Sequence, residues 1–154
     1  MNLFTLKAIG TVYNERKTPE DDYWGNISSL IELGEEWDES CLDGIEAFSH
    51  AEIHYIFHLV LDENIQNAAR HPRNNPAYPK VGIFAQRGKN RPNKMGSTIA
   101  EVIKREGRSL WVRGLDAIDG TPIIDIKPVM KEFLPRGEIR QPKWSCELMK
   151  NYWE

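Results

Sequence analysis

The stretch His50-Ala51-Glu52-Ile53-His54-Tyr55-Ile56-Phe57-His58-Leu59-Val60-Leu61 decides the fold class. Ile53, Tyr55, Phe57, Leu59 and Leu61 fall at every second position, with Glu52, His54 and His58 between them. A period of two belongs to a β-strand, whose side chains alternate between faces. The segment is therefore expected to form a half-buried strand over 50–61.

The same pattern recurs outward in shorter runs. Leu3 to Tyr13 has Phe4, Leu6 and Ala8 at alternate positions, then β-branched Ile9, Thr11 and Val12, which predicts a strand over 3–13. Residues 27–33, 81–85, 99–104, 110–115 and 122–126 read as further strands, with turn formers at Gly107 and Asp119-Gly120 between the later ones. Pro72, Pro76 and Pro79 hold their segment as loop. Asp38 and Ser40 are suited to cap a short helical turn ending at Gly44, and Ser145 to cap a helix over 145–152 with Leu148, Met149 and Tyr152 on one side. Short strands, turns every ~8–12 residues and no long amphipathic helix predict a mainly β chain. The expected architecture is a small antiparallel β-barrel with short helical segments, one domain over 1–154. There is no strand–helix alternation and no GxGxxG, which sets the chain apart from Rossmann-type folds.

Composition is that of a packed globular chain: 40% hydrophobic, 28% charged, mean hydropathy −0.55. The net charge of −3 argues against a general nucleic-acid coat and leaves room for a local basic patch. The opening MNLFTLKAIG lacks the basic-then-apolar pattern of a secretory leader, and no run approaches the ~18–20 apolar residues of a membrane span. A cytoplasmic chain with no membrane partner is expected. Cys41 and Cys146 form no CxxC pair and read as ordinary thiols.

Two stretches carry more chemistry than a scaffold needs. Residues 81–96, VGIFAQRGKNRPNKMG, run from apolar residues into a loop with Arg87, Lys89, Arg91 and Lys94, stiffened by Pro92. Such a loop can hold N–H and guanidinium groups against an anionic ligand, although a solvated basic hairpin would read the same way. Residues 114–128, GLDAIDGTPIIDIKP, place Asp116, Asp119 and Asp125 around a tight Asp-Gly turn. Asp125, inside an apolar run, would need a partner if buried, and Lys127 shares its strand face.

These stretches resemble the TrmO (TsaA-like) family of S-adenosylmethionine-dependent tRNA methyltransferases. The family pattern is close to G-x-F-A-x-R-S-P-x-R-P-N-P-I-G, followed by D-x-x-x-G-T-P-x-x-D-I-K-P. Gly82, Phe84, Ala85, Arg87, Arg91, Pro92, Asn93 and Gly96 match the first part; Asp116, Gly120, Thr121, Pro122, Asp125, Ile126, Lys127 and Pro128 match the second. Residues 42–50, LDGIEAFSH, resemble the family's G-L-E-x-F-S-H-L, and Ile9-Gly10-Thr11-Val12 its opening. The family Ser-Pro is Gly88-Lys89 here, and its later Pro-Ile is Lys94-Met95. The resemblance implies a β-barrel that works as a homodimer, with S-adenosyl-L-methionine in a cleft near the subunit boundary. It also implies methyl transfer to N6 of threonylcarbamoyladenosine in the tRNA anticodon loop.

From that resemblance and the chemistry of such a cofactor, residue roles can be assigned as expectations. Arg87 suits the cofactor carboxylate. Asp116 and Asp119 suit its hydroxyl and amino groups, with Gly120 and Thr121 allowing close approach. Asp22, Trp24, His58 and Thr98 complete the cofactor set. Asp119 and Asp125 are the candidates for a catalytic group, although Asp125 is read as mainly structural. Lys89, Arg91, Asn93 and Lys94 are candidates for nucleic-acid contact. Trp111, Trp144 and Trp153 read as core or dimer contacts. His50, His54 and His58 lack metal-ligand spacing, so no metal is expected. Two other functions stay open at this point: an S-adenosylmethionine-binding barrel that serves a small-molecule acceptor or acts as a non-catalytic sensor, and a dimeric tRNA-binding module.

Overall fold

The alternation that opens the sequence reading is realised in β3 (His50–Ile56), where Ala51, Ile53 and Tyr55 are buried and the residues between them are partly exposed. The computed structural model describes residues 1–154. β3 belongs to a six-stranded closed barrel with β1 (Gly10–Tyr13), β2 (Ser28–Leu33), β6 (Met95–Glu106), β7 (Ser109–Arg113) and β8 (Pro122–Pro128). The order around the barrel is β1-β2-β7-β6-β3-β8, and every pairing, including the closing one between β8 and β1, is antiparallel. Closure leaves each strand with a neighbour on both sides. A separate two-stranded ribbon pairs β4 (Ala69–Arg70) with β5 (Val81–Gly82). One short helix, α1 (Lys143–Leu148), lies near the C-terminus. No helix is long and apolar enough to cross a membrane.

The barrel interior is filled from every strand, by Val12, Ile31, Ile53, Ala100, Leu110 and Ile123 among others, all at most 1% exposed. Burial of such side chains is worth about 1.5–3 kcal/mol each.

Several strand boundaries differ from expectation, for one physical reason: a strand ends where its partners do. β3 stops at Ile56 because β6 begins opposite it at Met95, and the β8 ladder has already reached Ile123 opposite Tyr55. The chain then turns, Val60 N–H donating to Phe57 O at 3.1 Å. Leu59 and Leu61, expected on the core face, are 54% and 56% exposed, and Val60 is buried instead. Main-chain pairing begins only at Ile9, which donates to Ile123 O at 2.7 Å and accepts from Gly34 N–H at 2.9 Å; residues 3–8 have no ladder, and Leu3, Phe4 and Leu6 are exposed. Residues 81–85 form a two-residue ribbon strand followed by a 3-10 turn, outside the barrel. β6 is longer than the expected 99–104. The C-terminal helix begins after Pro142, not at Ser145, whose hydroxyl lies inside the first turn and donates to Pro142 O at 2.7 Å. The Asp38 cap is as read: its side chain accepts from Ser40 N–H at the head of a 3-10 turn.

Candidate functional site

Where β3 stops, one end of the barrel stays open. The turn after β3 brings Phe57, His58, Leu59 and Val60 to that end, beside Tyr55. The loop after β1 adds Pro19, Glu20 and Trp24. The connection from β7 to β8 adds Asp116, Ala117, Ile118 and Thr121, and the basic loop adds Lys89 and Asn90. Together they line a cleft of about 210 Å³. Its walls are aromatic and apolar, with a few polar groups converging, as small-molecule sites usually are.

Asp116 is the electrostatic centre of the cleft. Leu115 and Ala117 on either side of it are buried in the core, which anchors the backbone there. Its Oδ1 accepts from the Tyr55 hydroxyl at 2.7 Å and from the Thr98 hydroxyl; its Oδ2 accepts from the Tyr152 hydroxyl. Tyr55 and Thr98 hydroxyls also lie 3.0 Å apart. Gly96, opposite Tyr55 on β6, makes room for this arrangement, because a Cβ there would overlap the Tyr55 ring. Burial raises the Asp116 carboxyl above the usual carboxylate range, and the hydrogen bonds from Tyr152 and Tyr55 draw it partly back. Burial, with the Asp116 charge beside them, pushes both tyrosine hydroxyls far above their ordinary range, so they remain protonated donors.

The expected cofactor residues divide into those the fold gathers here and those it does not. Trp24, His58, Asp116 and Thr121 line the cleft, and Thr98 supports Asp116 from behind. Trp24 is 2% exposed, with the Arg16 guanidinium 4.2 Å above its ring. Thr121 is buried and its hydroxyl donates to Ile118 O at 2.7 Å. Gly120, at φ +80°, shapes that turn beside His58. Arg87 donates to Ser97 O at 2.7 Å, and its charge reaches Asp116 and Tyr152. Asp22 does not line the cleft: the Arg73 guanidinium grips it at 2.9 and 3.2 Å.

Both candidates for a catalytic group lie outside the cleft. Asp119 accepts from Asn14 N–H at 3.0 Å and pairs with Lys17 at 2.8 Å, so it ties the β1 exit loop to the turn. The Lys17 hydrogen bond holds its carboxyl below the usual range. Asp125 borders a second cavity, of about 370 Å³, together with Ile9, Trp37 and Leu42. It is half exposed and paired with Lys127 two residues on, so it is not the buried carboxylate that its apolar neighbours suggested. Along the basic loop, Lys94 pairs with Asp62 at 2.5 Å and Arg91 donates to Gln86 O at 2.7 Å. Asn93 takes positive φ, and Lys89 stands on the cleft rim. Trp111 lies under Lys104, 4.3 Å from its ring centroid, and Trp153 is half exposed.

Sequence reading missed Tyr55 and Tyr152 as site residues. Tyr55 looked like a core position, which its ring is. Tyr152 arrives through the main chain: Tyr23 N–H donates to Asn151 O and Trp24 N–H to Tyr152 O, at 3.1 and 2.8 Å. No side-chain pattern announces that contact.

The tRNA-methyltransferase O N-terminal domain profile matches residues 8–133. A human tRNA (adenine(37)-N6)-methyltransferase is 36% identical over 113 residues, 73% of this chain and 25% of that one. The "Probable S-adenosyl-L-methionine-binding protein" of Pyrococcus abyssi is 32% identical over 148 residues, 90% of this chain and 74% of its own length. A crystal structure of TrmO superposes with a TM-score of 0.74 at 25% identity, covering 91% of this chain and 64% of that one. The chain thus spans about a quarter of the human relative and under two thirds of the solved one.

Proposed function

The chain belongs to the tRNA-methyltransferase O family, and from that membership we propose that it is an S-adenosyl-L-methionine-dependent methyltransferase acting on N6 of an adenosine in tRNA. The finer reading is threonylcarbamoyladenosine beside the anticodon as acceptor, with residues 1–154 acting as one unit in a cytoplasmic homodimer. The observation that carries it is the convergence of Trp24, Phe57, Thr121, Asp116 and Lys89 on one cleft.

The donor set suits the cofactor. Phe57 offers apolar ring surface for a purine, and the buried Trp24 backs another part of the wall. Asp116 offers a carboxylate for hydroxyl or amino hydrogens, Arg87, whose charge reaches Asp116, offers a guanidinium for the cofactor carboxylate, and Lys89 on the rim offers a cation for a tRNA phosphate. When bound, the cofactor supplies a methyl group on a positively charged sulfur. The residues chiefly hold the two reactants in line, and such positioning accounts for several kcal/mol of barrier. The acceptor nitrogen gives up a proton as it gains the methyl group. His58, exposed at the rim beside Gly120, is placed to take that proton on its imidazole. Asp119 and Asp125 are the other candidates for that role, and neither lines the cleft.

The test is transfer from methyl-labelled cofactor to total tRNA, followed by nucleoside mass analysis. Label recovered in an N6-methylated threonylcarbamoyladenosine supports the full reading; label in another tRNA adenosine keeps the activity and corrects the acceptor. A protein that is stabilised by the cofactor yet leaves tRNA unlabelled favours a sensor or a small-molecule methyltransferase.

A further inference from the structure

The family match ends at residue 133, yet the Tyr152 hydroxyl bonds Asp116, which lines the cleft. Asp116 Oδ1 takes its hydrogen bonds from inside the barrel, from Tyr55 on β3 and Thr98 on β6. Oδ2 is held from outside, by the Tyr152 hydroxyl. The segment carrying Tyr152 is fastened to the loop that bears Trp24 by the main-chain bonds at Tyr23 and Trp24. Gly25 lies so close beneath Trp153 that a Cβ would overlap the Trp153 carbonyl. The Tyr152 ring meets the Trp153 ring edge-on at 4.9 Å. A hydroxyl held at both its ring and its backbone has little freedom to turn away.

We propose that Tyr152 is a positioning residue, which fixes the Asp116 carboxylate for the cofactor and makes residues 149–153 part of the cleft. This rests on the reading of the cleft as a cofactor site. A carboxylate in low dielectric needs donors on both oxygens to remain charged, and a neutral one binds hydroxyl and amino hydrogens less well. The groups acting on Asp116 are Tyr55 from β3, Thr98 from β6, Tyr152 from the C-terminal segment and the Arg87 charge from the basic loop; Arg73 and Arg87 act in turn on Tyr152. Of the influences that hold the carboxyl down, the Tyr152 hydrogen bond ranks first.

The experiment uses the full chain in three forms: wild type, Tyr152→Phe and Glu147→Ala. Glu147 is exposed on the C-terminal helix, outside residues 149–153, and its removal keeps the Tyr152 hydroxyl and the Trp153 ring. Carboxyl-carbon NMR titration follows Asp116 without any ligand, and calorimetry measures S-adenosyl-L-methionine binding across pH. In Tyr152→Phe, Asp116 should titrate roughly one pH unit higher. Cofactor affinity should fall about tenfold at neutral pH, with the acid limb of the binding profile displaced upward. Glu147→Ala should leave the Asp116 titration and the cofactor affinity where they are in the wild type. Unchanged titration and affinity in Tyr152→Phe overturn the proposal. So does a Tyr152→Phe chain that no longer folds, because the hydroxyl is then needed for the fold itself and not for positioning the carboxylate. A wild type that binds no S-adenosyl-L-methionine defeats the cofactor reading on its own, and the carboxyl titration still reports on Tyr152.

Discussion

The Tyr55 hydroxyl donates to Asp116 Oδ1 at 2.7 Å, joining the third barrel strand to a loop 61 positions later. The bond lies at the open barrel end and holds a carboxylate that burial keeps above the usual range. The folded chain therefore keeps this proton at pH values where the unfolded chain has released it. The resulting stability is full below the unfolded value of about 4 and is lost as pH rises through the folded value. Asp116→Asn removes the titration. Urea unfolding at several pH values above 4 should show the wild type losing stability relative to the variant, by at most about 1.4 kcal/mol per pH unit. Parallel curves would show that Asp116 does not titrate differently in the fold.

Asp125→Ala should be mild. The Asp125–Lys127 pair is half exposed on both sides. Exposed pairs contribute about 0–1 kcal/mol, not the roughly 3–5 kcal/mol lost when a buried pair is broken. The melting temperature should therefore shift by no more than a few degrees, and cofactor affinity should hold. A loss of methyl transfer with an intact fold would return Asp125 to the candidate catalytic groups.

On the proposed reading Asp119 is a structural tie and His58 takes the acceptor's proton. Asp119→Asn removes the Lys17 pair and weakens the Asn14 contact at a partly exposed site. Its lowered carboxyl contributes stability above the unfolded value, which is lost as pH falls through the folded one. The variant should thus be slightly less stable near neutrality, and the deficit should vanish in acid. Cofactor affinity should stay within about twofold. His58→Gln should lower turnover by roughly 10²-fold or more with a smaller effect on cofactor binding. Steady-state kinetics beside calorimetry separates the two variants, and equal losses in both would place His58 among binding residues only.

How far the sequence was legible follows from which contacts are local. Alternation in Ala51, Ile53 and Tyr55 is a property of the strand itself, and it reads correctly. The end of β3 depends on where β6 and β8 stop, so Leu59 and Leu61 look like core and are not. Asp116 is legible through its motif, and Asp119 through its place at the head of the Asp-Gly turn. Their side chains point to different partners, Tyr55 and Lys17, which only the fold distinguishes. Tyr152 was visible as a helix-face residue; its role depends on main-chain bonds to Tyr23 and Trp24, and these leave no side-chain pattern.

The basic loop should divide between structural and ligand-facing cations. Lys94 is committed to Asp62, and Arg91 to Gln86 O. Lys89 stands on the cleft rim. With a tRNA anticodon stem-loop, Lys89→Ala should weaken binding and lower the slope of log affinity against log salt by about 0.7–0.9, the share of one phosphate contact. Lys94→Ala should change that slope little. Filter binding across salt concentrations tests both, and identical slopes for the two variants would count against the division.

Gly25→Ala tests the link between backbone packing and the site. The added Cβ would overlap the Trp153 carbonyl, a main-chain atom that cannot rotate away. Something must therefore shift, and overpacking of this kind costs about 1–3 kcal/mol. The least anchored element there is residues 149–153, held to the Trp24 loop by two main-chain bonds and to Asp116 by one hydroxyl. Its displacement should alter Trp153 fluorescence, withdraw Tyr152 from Asp116 and weaken cofactor binding about as much as Tyr152→Phe does. If the two changes act through one contact, the double variant binds no worse than either single one, because neighbouring substitutions that break the same interaction do not add. Gly82→Ala is the control: a Cβ there meets nothing within 4 Å, so stability and affinity should both hold. Full additivity in the double variant would mean that Gly25 and Tyr152 support the cleft independently, and that the C-terminal segment is not the route between them.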